Sequence, residues 1–498
     1  MNSLFRRSAD LSFLAHRAKE VERAQAGLSA PPRRVLTRDE AHTLATFVQQ
    51  QVGGTWTPQI TITSAVTSAA TQRIGFAPQS ADVDELLVGW TTQLGSYITV
   101  AIDTNVRDAD TLRRVIGHVS AVQTPQRLRT ADDDEDADPS LNHRSAYLPV
   151  MLWHDRTIAG MMNGRGDALA KLSLPFRGTS WHGMGTVALS AQSFFLLGDD
   201  LANATFGEMT DSEISMTARA ADGSAVGWSS RAHRDWSQID PEQVAREAIT
   251  MAEQHRNPSR VEPGRYTAIL SATAVGQLLR TMAPLYNVVS DSPFNMPNSK
   301  KAGDPDRRGQ RVFDPRVTLW TDPMDPDGGE YPFDDGGTPN PKTTWVDHGV
   351  LKARSAGLRD ALDLGLTPRK NPVSIRMSGG PTSIDDMIAH CERGIYVNRF
   401  ANLDIIDGHS GAMSGFTRDG CLLILNGKIA RPVKDFRIFE SPFLSLNRVL
   451  ALGEPRRVAF GFIPPQATDY HEHWPLPPVI APPMMVTDFN FAALADAV

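Results

Sequence analysis

Histidines, cysteines and clustered carboxylates are the side chains here that could hold a metal ion or move a proton, and their spacing decides whether they do. A zinc peptidase brings two His to one helical face with a Glu beside them, because the ion takes imidazole nitrogens and its bound water needs a base. No H-E-x-x-H or looser helical pair occurs: AHRDW, LWHDRT, SWHGMG and VDHGVL each offer a single His. In YHEHW, His471 and His473 stand two apart, as on one face of a strand, but their Pro-rich flanks read as a surface segment. The stretch TDPMDPDGGEYPFDDGGTP gathers Asp322, Asp325, Asp327, Glu330, Asp334 and Asp335. Counted as a calcium loop from Asp325, its sixth position is Glu330 where Gly is needed and its twelfth is Gly336 where Glu is needed. As a glycosidase pair, the adjacent Asp334 and Asp335 would point to opposite faces of a strand. A turn-rich loop is the expectation. Neither Cys391 nor Cys421 has a neighbouring His, and Cys421 opens an apolar strand, so both read as inert thiols. No G-x-S-x-G, phosphate-binding loop or G-x-G-x-x-G precedes a suitable helix. One set remains open, because ligands need only spatial proximity: His348, His409 and Cys421.

The elements that would position such groups can be read from periodicity and caps. Leu11, Leu14, Ala18 and Val21 fit a terminal helix, within a 1–34 tail that lacks the apolar core of a signal peptide. Thr37 with Glu40 makes a capping box for a helix lined by Ala41, Leu44, Ala45 and Val48. A strand in QITITSAV and a helix in DADTLRRVIGHVSAV then give an α/β region over 35–125. The acidic run ADDDEDAD marks a solvated loop over 126–142. Region 143–262 is strand-rich, with Asp222-Gly223 as a hairpin turn, and ends in a linking helix capped by Asp240 with Pro241 in its first turn. In the last region, 263–498, Tyr266 to Leu270 alternates as a strand, and SATAVGQLLRTMAPLY follows as an amphipathic helix on Val275, Leu278, Leu279 and Met282. Asn426-Gly427 sits between two apolar runs as a type I′ hairpin, and a helix from Ser441 is expected to stop at Gly453. The fold class is therefore α+β: an N-terminal α/β portion and a C-terminal domain dominated by antiparallel sheet with a few helices.

Composition excludes several function classes. No apolar run approaches the roughly 18–20 residues that span a bilayer. A net charge of −7 without a basic stripe disfavours nucleic acid, whose binding requires clustered Lys and Arg. Two cysteines suit a reducing compartment, and the cytoplasm is the expected location.

The run SGFTRDGCLLILNGKIARPVKDFRIFESPFLSLNRVLALG resembles the TldD/PmbA family, whose members carry a T-R-D-G, N-G-K-I, P-V-K-N-F-R series. DWSQIDPEQVAREAITMAEQHRNPSRVEPGRYTAIL, VTLWTDP and FDDGGTP are similar to the same family in the same order, so the likeness covers about 140–498. The resemblance implies a cytosolic metallopeptidase system, often a TldD–TldE (PmbA) heterodimer, that degrades or trims unfolded peptides. One half binds zinc through a helical H-E-x-x-x-H and a later Cys; the other keeps the fold without the metal. The ligand-bearing helix follows the first C-terminal strand, where SATAVGQLLRTMAPLY has neither His nor Glu. Phe416 lies near the place of the later Cys, Cys421 is on the other side of Asp419-Gly420, and Gly336 stands where zinc-bearing members tend to have Glu. The implied identity is the metal-free, TldE/PmbA-like half: no catalytic residue and no cofactor of its own, with zinc in a TldD-like partner. Two alternatives remain: a homodimeric peptide-binding or regulatory protein, which the family label "modulator of DNA gyrase" would suit, and a self-sufficient metallopeptidase using His348, His409 and Cys421.

Overall fold

The computed structural model describes residues 10–25, 35–53, 57–91, 97–103, 105–123, 152–161, 164–198, 204–296, 306–331, 333, 340–460 and 477–495. The acidic loop over 126–142, the pair His471 and His473, and Asp334, Asp335 and Gly336 lie outside the described residues.

The N-terminal part runs α1 (Ser12–Gln25), α2 (Arg38–Val52), β1 (Ile60–Arg73), β2 (Gln79–Thr91), β3 (Tyr97–Ala101), α3 (Ala109–Gln123), α4 (Asp155–Gly160), α5 (Gly164–Ser173), β4 (Trp181–Leu197), β5 (Ala204–Ala220), β6 (Val226–His233) and α6 (Pro241–Gln254). Its six strands form one antiparallel sheet in the order β3-β2-β1-β4-β5-β6. Regions 35–125 and 143–262, read apart in the sequence, share this sheet, because β1 pairs with β4 from Ile60↔Leu197 to Arg73↔Met184. The two-residue side-chain period then sorts β4. Phe195 and Leu197 join the core under α1, α2 and α3, and Val187, Leu189 and Ala191 join the one under α5 and α6. The opposite set, Phe194 and Leu196, packs on Phe333 and Tyr331 of the C-terminal part. Thr37 and Glu40 form the expected capping box on α2, and Asp240 accepts from the backbone N–H groups of Glu242 and Gln243 on α6.

The C-terminal part contains β7 (Gly264–Leu270), α7 (Ala272–Met282), β8 (Leu319–Thr321), β9 (Thr343–Asp347), β10 (Val350–Leu351), α8 (Leu358–Asp363), β11 (Arg376–Met377), α9 (Ile384–Ala389), β12 (Arg393–Asp407), β13 (Ala412–Leu425), β14 (Lys428–Val433), β15 (Phe436–Glu440), α10 (Pro442–Ser445), β16 (Val449–Leu452), β17 (Arg456–Val458), β18 (Val479–Ala481) and β19 (Met484–Leu494). Pairings β12–β7, β7–β19, β19–β15, β15–β13 and β13–β12 return to their start, so these strands close a small barrel. Closure leaves those strands without a free edge. Alternation along β7 sends Tyr266, Ala268 and Leu270 into the main core and Ile269 to a smaller cluster with Tyr396, Leu422 and Met485. A second sheet, β10-β9-β8-β11-β18-β17, packs beside it, with α7 against β12, β17 and β18.

The expected hairpin at Asn426-Gly427 is present, with positive φ at both residues. The helix expected from Ser441 to Gly453 is not. It is a single turn, and Val449–Leu452 leaves it to pair with β19 as β16. An apolar run with a helix-like start was captured there by an available strand partner, a tertiary contact that outweighs local propensity. The fold is α+β, as the sequence pattern implied.

Candidate functional site

The helix α7 follows the first C-terminal strand, and Ser271 caps it by accepting from the Ala274 N–H at 3.2 Å. Its apolar stripe is fully committed: Val275, Leu278, Leu279 and Met282 are all buried. The polar side chains that remain do structural work. Gln277 brackets the backbone of Phe400, its Nε2 donating to the carbonyl at 2.9 Å and its Oε1 accepting the N–H at 2.8 Å. The Arg280 guanidinium stands 5.1 Å from the centroid of the Phe460 ring, a cation–π arrangement. Gly276 packs so tightly on β17 that a Cβ there would meet Val458 Cγ2 at 2.5 Å. The chain covering the last turns of α7 is therefore 458–460, whereas Phe416 lies in β13, paired with Ala401 and Arg437. An amide and a guanidinium are poor zinc ligands, and no imidazole, thiolate or carboxylate projects from α7. Its residues do not fit the metal.

The dispersed ligand set is not assembled either. His348 sits in the β9–β10 turn at positive φ, its side chain 79 % exposed and Nδ1 2.8 Å from Asp347 Oδ1. His409 is likewise exposed, 3.4 Å from Asp291. Cys421 is wholly buried in β13, where burial, with the negative charge of Asp435, pushes its thiol well above the ordinary range. Among the described residues, no three His, Cys, Asp or Glu side chains gather to hold a metal ion. Three of the four carboxylates of the 322–330 loop are taken by basic partners: Asp322 by Lys342 at 2.8 Å, Glu330 by Lys370 at 2.5 Å, and Asp325 by Arg376, while Asp327 is exposed.

Sequence reasoning missed a cleft between β6 and α6 on one side and β12, β13 and α9 on the other, with a volume of about 640 Å³. Its N-terminal wall is an ion-pair network: Arg231 donates to Glu247 at 2.6 Å, and Ser229 donates to the other oxygen of Glu247 at 2.7 Å. The lining residue Trp228 is held by Arg399, which bonds Asp419 through Nε at 2.7 Å and stacks on the Trp228 ring at 4.4 Å. Asn398 crosses the gap, its Nδ2 donating to the carbonyls of Trp228 and Asp419, both at 3.0 Å. Arg456 of β17 and Tyr396 of β12 complete the polar lining. Burial pushes the Tyr396 hydroxyl up to about 12, so it stays a proton donor at neutral pH. No local motif could have announced this cleft, since its walls come from segments far apart in the chain.

A sheet-bearing N-terminal part joined by α6 to a barrel-centred C-terminal part places the chain in a known architectural class. It superposes on a protein described as a candidate modulator of DNA gyrase from Bacteroides thetaiotaomicron with a TM-score of 0.68, covering 91% of this chain and 99% of that one at 17% identity. TldE from Thermococcus kodakarensis gives 0.65 over 90% and 98%, at 14% identity. These likenesses concern the fold. Residues 263–493 match the PmbA/TldA metallopeptidase C-terminal domain, which supports the likeness to the TldD/PmbA family. A metalloprotease of Methanothermobacter thermautotrophicus is 29% identical over 31% of this chain and 36% of its own length. A metalloprotease TldD homologue of Buchnera aphidicola is 26% identical over 27% and 30%. The alignments thus span about a third of these curated relatives.

Proposed function

We propose that this chain is the metal-free, TldE-type subunit of a two-subunit metallopeptidase that degrades or processes unfolded peptides, with zinc and hydrolysis supplied by a TldD-like partner. The observation that carries the reading is α7. The helix that follows the first strand of a metallopeptidase-type C-terminal domain presents Gln277 to the Phe400 backbone and Arg280 to the Phe460 ring. Those contacts fit a packing element, and converting it to a metal site would require emptying both. The chain's part is then to complete the enclosure around a peptide that its partner cuts.

An extended peptide can be held by backbone pairing to a strand edge, which requires no particular side chain. Strand β6 is a poor edge for it, since the carbonyl of Trp228 already accepts from Asn398 and that of Ser230 from Arg231. The pairing edge therefore belongs elsewhere in the chain or to the partner. Both thiols are free and buried, and no helix among the described residues is long and apolar enough to cross a membrane. We place the complex in the cytoplasm.

The test is one peptidase assay in three arms: this chain alone, the chain with a TldD-like subunit, and that pair after chelation. Hydrolysis is expected only in the second arm, together with retention of the partner on tagged chain and less than stoichiometric zinc in the chain by elemental analysis. Stoichiometric zinc accompanied by cleavage from the chain alone would overturn the reading.

A further inference from the structure

The lining of the cleft between β6 and the barrel is of two kinds. Its apolar part is one cluster, in which Met251 of α6 and Ile388 of α9 pack against Leu422 of β13. Its polar part includes Arg456, whose guanidinium lies within the electrostatic reach of Arg231, Tyr396 and Glu247, and Tyr396 is the cross-strand neighbour of Leu422. Among the described residues no carboxylate pairs with Arg456, and the residue is exposed at the start of β17, in the cleft wall. Glu247 is already bonded by Arg231, Ser229 and Gln243, so little of its charge is left for a second arginine. Asp385 also lines the cleft, in the first turn of α9. Of the three arginines in the lining, Arg231 pairs with Glu247 and Arg246 with Glu242, which leaves Arg456 as the one with no carboxylate partner among the described residues. A volume of about 640 Å³ is in the range of small-molecule sites, which combine apolar walls with a few placed polar groups.

We propose that this cleft binds a carboxylate that carries an apolar group, with Arg456 receiving the carboxylate and Met251, Ile388 and Leu422 the apolar part. The free C-terminus of a peptide ending in a hydrophobic residue has this chemistry, and so does a free amphiphilic acid. The guanidinium fork matches a carboxylate in plane and makes charge-assisted bonds. Tyr396, which lines the same cleft, can donate a further hydrogen bond to it. The site recognises side-chain and end-group chemistry, and does not depend on whether the chain pairs with a hydrolytic subunit.

The test is calorimetric titration of the full chain with acetyl-Ala-Ala-Leu, with the same peptide as its C-terminal amide, with decanoate and with inorganic phosphate. The free acid is expected to bind roughly ten- to hundred-fold more tightly than the amide, the range a charge-assisted bond supplies. Arg456→Gln should erase that preference and Arg456→Lys should keep part of it, with melting curves showing both variants folded. Decanoate competing with the peptide acid assigns the site to apolar carboxylates at large, and failure to compete assigns it to peptide ends. Equal binding of acid and amide, no binding of either, phosphate binding as tightly as the peptide acid, or an acid preference untouched by Arg456→Gln would each overturn the proposal. Because no partner subunit is present, failure here leaves the subunit reading standing, and failed pairing leaves this one standing.

Discussion

Asp435 shows what a single side chain can do to this fold. It lies between β14 and β15, accepting from the Thr417 hydroxyl at 3.1 Å, and desolvation raises its carboxyl from 3.8 to about 6. Between those values the folded protein holds a proton that the unfolded chain has already released, so stability falls as pH rises through the window and stays at the lower level above it. Asp435→Asn keeps an acceptor for Thr417 and removes the titration. Its melting temperature relative to the parent should therefore climb in the variant's favour between ~pH 4 and ~pH 7, and a gap that does not move with pH would refute the assignment. His255 works in the opposite sense, since burial lowers its pKa and its contribution is lost as pH falls below the ordinary imidazole value of 6.5. At this scale the sequence was legible where chemistry is local. Thr37, Asp240 and Asn426-Gly427 each act on residues a few positions away. It was silent on Arg456, whose surroundings come from β6, α6 and β12.

Elements in this molecule meet more closely than their patterns reveal. Strand β6 lies directly under α6, and a Cβ at Gly227 would strike the helix backbone at Ala248 and Ala252 and come 2.8 Å from Met251 C. Backbone cannot yield as a side-chain tip can, so Gly227→Ala should cost roughly 2–3 kcal/mol in urea denaturation. Gly166 supplies the contrast. It is exposed in α5, and a methyl group placed on its Cα would meet nothing within 4 Å, so Gly166→Ala should stabilise by about 0.5–1 kcal/mol. Equal effects at the two sites would mean that the α6–β6 contact is looser than described. Helices and hairpins that carry their own start and stop signals were readable in the sequence. The failure at Gly453 has the same cause as the blindness to Gly227: β19, which recruits Val449–Leu452, and α6, which presses on β6, are partners that a local window does not contain.

For the whole molecule, the decisive contacts join the N-terminal sheet to the C-terminal part. Arg234 is buried and donates to the carbonyls of Pro326 at 3.2 Å and of Gly329, and desolvation lowers its pKa to about 10. Beside it Arg457 pairs with Asp211, their side chains 9% and 6% exposed. Removing one member of a buried pair strands the other, so Arg457→Gln should cost roughly 3–5 kcal/mol, with Arg457→Gln plus Asp211→Asn recovering much of the loss. Scanning calorimetry should show the single variant unfolding in two separated steps; one unshifted transition would mean that the two parts do not depend on this pair. The α+β class and the family resemblance were legible from patterns along the chain, while the shared sheet and the cleft arise from pairings between distant segments. The barrel has a consequence of its own during biosynthesis. Its ring needs β19 between β7 and β15, yet β19 lies far downstream of both. A nascent polypeptide must therefore keep two sticky borders apart until that late strand leaves the ribosome, and a prematurely stopped translation product lacking it should be a preferred client of chaperones.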